Sequence, residues 1–196
     1  MKVLIDNGHG ENTPGKCSPD KRLREWAYTR EIAERVVTGL RQCGIDAQRI
    51  VKEKADIPLA VRCRRANNIY RETGRGAILV SIHCNAAGGG EEWTEARGWS
   101  VFVSDNASAN SRRLATCLGD AARKWKVPLR RQTPGRAYWT QNLAICRDTN
   151  CPAVLTENFF QDNKEEVDFL LSDEGKKTIA LIHVDGILAY LKEEEV

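Results

Sequence analysis

The chain has 196 residues, 41% of them hydrophobic and 29% charged, and carries a net charge of +3. This length and balance predict one globular domain over 1–196 with a sizeable core, and exclude a disordered chain. So small a charge gives no reason to expect nucleic acid, and no apolar run approaches the roughly 18 residues of a membrane helix.

The first apolar run, 3–5, reads as a strand and stops abruptly in "DNGHG". It leads into no secretory-leader pattern. The chain is expected either to stay in the cytoplasm until released or to have had a leader removed. A helix is expected over 24–42, ended by Gly44, then a strand over 47–51 and a helix over 59–72. The continuous run "AILVSIHCN", 77–85, reads as a strand covered on both faces. A strand at 98–104, a helix at 108–126, a strand at 153–160 and a helix at 175–192 complete the reading. Strands alternating with helices predict an α/β architecture around a largely parallel sheet.

The seven cysteines are odd in number and form no CxxC pair. Most sit in apolar or helical contexts, where cysteine acts as a small hydrophobe. Free thiols are expected, and a sulfur-ligated zinc site is not.

Ligands of open α/β sheets bind outside the carboxyl ends of the strands. His9 follows the first strand, His83 lies near the end of 77–85, and Glu157 near the end of 153–160. Either histidine alone is more often a core or loop residue; three such residues at strand ends point to a site. Glu25 opens the first helix, and helical steps from it reach Thr29, Ile32 and Val36, an apolar face. A carboxylate on that face needs a cation or a partner, here a metal or else Arg22 or Arg24, unless the first turn frays. Glu31 and Glu34 fall off that face and read as solvated. Two histidines and a glutamate with an open fourth position are the ligand set of a hydrolytic zinc site. Glu157 is the candidate proton carrier. By strand alternation Leu155 and Phe159 share its face and partly desolvate it; otherwise it meets solvent or Arg147.

In order along the chain stand "IDNGHG", "LREWA", "LAVRCRRAN", "LVSIHCNA", "ARGWSVFV", "LAICRDTNCPAVLTENFFQDN" and "IALIHVDGILAYL". The ordered set resembles the zinc-dependent N-acetylmuramoyl-L-alanine amidases, in the amidase type 3 branch, over nearly the whole chain. The resemblance implies a mostly parallel mixed sheet of about six strands flanked by helices. It implies Zn2+ on His9, Glu25 and His83, with Glu157 catalytic, and peptidoglycan as the substrate and partner. Asn85 and Arg147 also fall on motif positions, with loop-shaping and pairing or orienting roles expected. His183, in the last helix, reads as structural, and a monomer is favoured.

The segment after the second strand, "RIVKEKADIPLAVR", departs from the family pattern. The loops 87–96 and 127–142 have individual character. The first should rim the site, and Trp93, Tyr138 and Trp139 either pack on substrate or in their own loops. A zinc peptidase acting on the stem peptide, a binding module that does not cut, and a structural zinc domain are the alternatives. A binder has no need of Glu157, and a structural site would be closed.

Overall fold

The computed structural model describes residues 1–131 and 137–193. Six strands form one sheet: β1 (Lys2–Asn7), β2 (Ala47–Arg49), β3 (Ala77–Asn85), β4 (Ser100–Val103), β5 (Trp139–Thr140) and β6 (Ala153–Phe160), in the order β2-β1-β3-β6-β4-β5. The first four in that order are parallel. β4 runs antiparallel to β6, and β5 is parallel to β4. The sheet is therefore mixed and mostly parallel, as expected, with six helices around it.

Period-two alternation decides which layer each strand residue meets. Val3, Ile5, Ile78, Val80, Ile82 and Val154 pack on the layer built from α1 (Glu25–Gln42), α3 (Ala109–Lys124) and α6 (Asp173–Glu193). Leu4, Leu79, Ala153 and Leu155 face α2 (Leu59–Glu72) and the short α4 (Ala144–Arg147). Both faces are covered, so the central strands are buried almost throughout. His83 and Glu157 continue the alternation of Leu79 and Leu155, on the α2 and α4 side.

Three elements escaped the sequence reading: β5, α4, and α5 (Lys164–Leu171). The last is capped by Asn163, whose side chain accepts the Glu166 N–H at 3.1 Å. The pairing of Phe159 with the face of Glu157 is also corrected. His83 pairs with Glu157, but the next pair is Asn85 with Phe160, so two residues of β6 oppose one of β3. Phe159 takes φ 65° in this bulge and turns into the α1, α3 and α6 layer, edge-on to Phe169. Only Leu155 is left on the face of Glu157.

His183 lies in the core, as read from sequence. Its Nδ1 is 2.7 Å from the Ile179 carbonyl oxygen and its Nε2 is 2.9 Å from Thr156 Oγ1. Burial pushes it down to about 4, against the Ile179 bond. Unfolded histidine titrates near 6.5, so between those values unfolding takes up a proton. Stability contributed by the neutral ring is full above about pH 6.5 and is lost as pH falls toward 4. The loss should reach at most about 3 kcal/mol, and His183→Gln should flatten that part of the pH dependence. Urea unfolding at several pH values between 7 and 4 checks this; equal slopes in both proteins would refute it.

No disulfide joins the described residues, and Cys63, Cys84, Cys117, Cys146 and Cys151 are buried. Among the described residues no helix is long and apolar enough to cross a membrane.

Candidate active site

The "GHG" turn places His9 just beyond β1 with φ 60°. Gly8 is required there, because a Cβ would lie 2.4 Å from Cε1 of His83. The His9 carbonyl accepts from Arg30 Nη1 at 3.0 Å and from Arg62 Nη2 at 3.1 Å. Two guanidinium groups thus hold a histidine in a backbone conformation that it rarely adopts unaided.

Glu25 is the first residue of α1 and 1% exposed. Its Oε1 accepts the Cys84 N–H at 3.0 Å and lies 3.1 Å from His83 Nδ1. Oε2 lies 3.4 Å from His9 Nε2 and has no hydrogen-bond partner although it is buried. Burial pushes this carboxyl up, but contacts with His83 and then His9 outweigh it and hold the group at about 2. Among the described residues neither Arg22 nor Arg24 pairs with Glu25, and Arg22 binds Asp20 and Asp168 instead. Ligand atoms of His9, Glu25 and His83 lie within 4.8 Å of one another. A buried, ionised carboxylate with an oxygen that lacks a donor, facing two imidazoles, fits a divalent cation.

Glu157 stands beside this cluster, opposite His83 in the β3–β6 ladder. Its Oε2 is buried without a hydrogen-bond partner. Burial pushes the carboxyl up to about 8, while His83 pulls it down and Glu25 repels it. Lys16 and Arg130 are the nearby cations that also favour its charge.

Arg147 does not reach Glu157. It bonds to Asp148 and to Asn142 Oδ1 at the outer end of α4. Asn85 closes β3 and accepts the Ala86 N–H through its own Oδ1, shaping the turn into the next loop. That loop is tied down by Asp162, which accepts from the Ala87 and Gly88 N–H groups. Its Trp93 is partly exposed, at 37%. In the other loop Trp139 lies on Phe102 and under Arg130, and Tyr138 packs on the core. Residues 132–136 of that loop lie outside the described ones.

The sequence reading missed Arg62. It is 2% exposed and donates to Asp6, Asp56 and the carbonyls of Asn7, His9 and Ile57. The available signal was its helical spacing to Ala66 and Ile69, which puts it on the inner face of α2. Beside it a cleft of about 300 Å³ opens to His9 and His83, walled by Ile57, Leu59, Ile145 and Leu155.

A sequence profile described as N-acetylmuramoyl-L-alanine amidase matches residues 3–189. The chain belongs to this family. Among its relatives, the endolysin of Bacillus phage SPP1 is 29% identical over 191 residues, which is 96% of this chain and 65% of the endolysin. The chain thus spans just under two thirds of that relative. The N-acetylmuramoyl-L-alanine amidase CwlM of Bacillus licheniformis is 26% identical, over 95% of this chain and 67% of CwlM. The crystal structure of the N-acetylmuramoyl-L-alanine amidase from Clostridium difficile 630 superposes with a TM-score of 0.82 at 27% identity, covering 99% and 98% of the two chains. The amidase Ami1 of Mycobacterium smegmatis shares the fold, with a TM-score of 0.85 at 19% identity over 98% of this chain and 97% of Ami1.

Proposed function

We propose that the chain is a zinc-dependent N-acetylmuramoyl-L-alanine amidase domain, 1–196. It would hydrolyse the amide joining the lactyl group of N-acetylmuramic acid to L-alanine in peptidoglycan. The observation that carries this is the His9, Glu25 and His83 cluster, built on the buried Glu25 with Glu157 at its side, in a chain of this family. His9, Glu25 and His83 would hold the ion. Zinc, when bound, supplies Lewis-acid activation of water and of the scissile carbonyl.

The remaining work falls to the chain's own groups. Glu157, pushed toward its neutral form by burial, would be brought back toward its ionised form by the charge of a cation held on His9, Glu25 and His83. Glu157 then takes the proton of the attacking water and returns it to the alanine nitrogen as the C–N bond breaks. Arg30 and Arg62 keep His9 in place throughout. The glycan keeps a lactyl carboxylate, and the peptide leaves with a free amine.

The test is digestion of purified sacculi with and without a chelator, followed by mass spectrometry. Peptides that begin with L-alanine should appear, and should vanish when the metal is removed. Cuts only within the stem would support a peptidase instead. His83→Ala should sharply lower zinc content measured by atomic emission. Full occupancy in that variant would remove His83 from the ligand set.

A further inference from the structure

Two clefts flank the His9 and His83 edge, and their chemistry differs. The α2 and α4 side is largely apolar, and its charges are paired, with Asp6 and Asp56 both bonded to the buried Arg62. The other cleft, of about 820 Å³, lies beyond the ends of β3 and β6, where Asn85 pairs with Phe160. Its wall carries Arg130 and Arg131 against a single carboxylate, Glu95; a further wall residue, Arg97, is bound to Glu165. Neither Arg130 nor Arg131 makes an ion pair among the described residues.

Arg130 is held ready. Gly98 has φ 106°, and a Cβ there would lie 2.3 Å from the Arg130 nitrogen, so the segment sits directly on it. The Arg130 N–H donates to the Trp99 carbonyl at 2.9 Å. Its guanidinium carbon is 4.5 Å from the centre of the Trp139 ring and 5.7 Å from that of Phe160. Two aromatic rings hold the cation in place without neutralising it. Asn85 Nδ2, on the same wall, is buried without a hydrogen-bond partner. The cleft is also close to the chemistry, since Glu157 feels the charge of Arg130.

The two halves of an uncut substrate differ in charge. The muramic acid carboxyl is locked in the scissile amide, so the glycan half is neutral there. The peptide half carries free carboxylates. We propose that the Arg130 cleft takes the peptide half and that Arg130, with Arg131, binds one of its carboxylates; the glycan half then lies toward α2 and α4. This rests on the amidase reading and gives the substrate a direction across the site.

The experiment uses zinc-loaded protein and two soluble muramoyl peptides, one with free stem carboxylates and one with those carboxylates amidated. The ratio of kcat/KM for the two is read at low and high salt. Wild type should favour the free acid by about tenfold, through KM, with the preference shrinking in salt. Arg130→Gln should bring the ratio near one, and Arg130→Lys should retain part of it. Equal rates on both compounds in wild type, or an undiminished ratio in Arg130→Gln, would overturn the proposal. If Arg130→Gln does not fold, Arg131→Gln decides: a lower ratio supports the assignment and an unchanged one refutes it. Cleavage of neither compound by wild type would mean that the amidase reading itself fails, and the assignment with it.

Discussion

Glu157→Gln should keep its zinc and melt near wild type while turnover falls by about 10²–10⁴, the usual share of a general acid–base. The amide keeps the size of the carboxyl and removes its basicity. The side chain makes no hydrogen bond through its buried Oε2, so little folding energy depends on it. Indeed burial opposes the charged carboxylate, and a neutral amide relieves that cost. Three measurements on one variant separate the possibilities: metal content, melting temperature, and release of L-alanine-ended peptides from sacculi. Lost zinc would make Glu157 a ligand. Lost stability with activity in proportion would make it structural. Near-normal turnover by folded, zinc-loaded protein would falsify the proposed mechanism.

Arg62→Met should be the most damaging single change away from the ligands. The substitution keeps the length of the stem and removes every donor. Asp6, 1% exposed, keeps the Ser81 hydroxyl as a donor at 2.6 Å but loses its cation, and the carbonyls of Asn7 and Ile57 lose bonds of 2.7 and 2.6 Å. Breaking a buried pair from one side costs about 3–5 kcal/mol. For a domain of this size that is a fall in melting temperature of roughly 6–20 °C. Because Arg62 also holds the His9 carbonyl, zinc affinity should weaken by about 10–100-fold, as when other outer partners of a ligand are removed. Calorimetry and a competition titration with a zinc chelator measure the two effects. A variant that melts within a degree or two of wild type would show that the network is not needed.

The central strands and the long helices are legible from sequence because their periodicity is strong. Glu25, Thr29, Ile32 and Val36 are all buried, as helical stepping from Glu25 requires, and Glu31 and Glu34 face outward to Lys176, Arg35 and Arg49. What brings His9, His83 and Glu157 to one edge is the parallel direction of β1, β3 and β6, which strand–helix alternation implies. The missed pieces have physical reasons. β5 is two residues long and α4 four, too short for any period to show. The antiparallel run of β4 is set by tertiary packing, which local pattern does not encode. The bulge depends on Phe159 taking a left-handed φ, a conformation that its residue type does not suggest. Arg62 was overlooked because arginine on a helix is ordinarily solvated.

Glu25 differs from its three companions in what carries it. His9, His83 and Glu157 belong to strands or the turn after one, whereas Glu25 hangs from α1, in the layer beneath the sheet. That helix is seated on α6, where Gly39 comes so close that a Cβ would lie 2.9 Å from Val184 Cγ2. Gly39 is about 21 Å along the helix axis from Glu25. A larger residue at that joint pushes against a rod whose far end holds one corner of the ion's cage. Selection therefore has a remote handle on the grip of the site, one that requires no change in any residue lining the cleft.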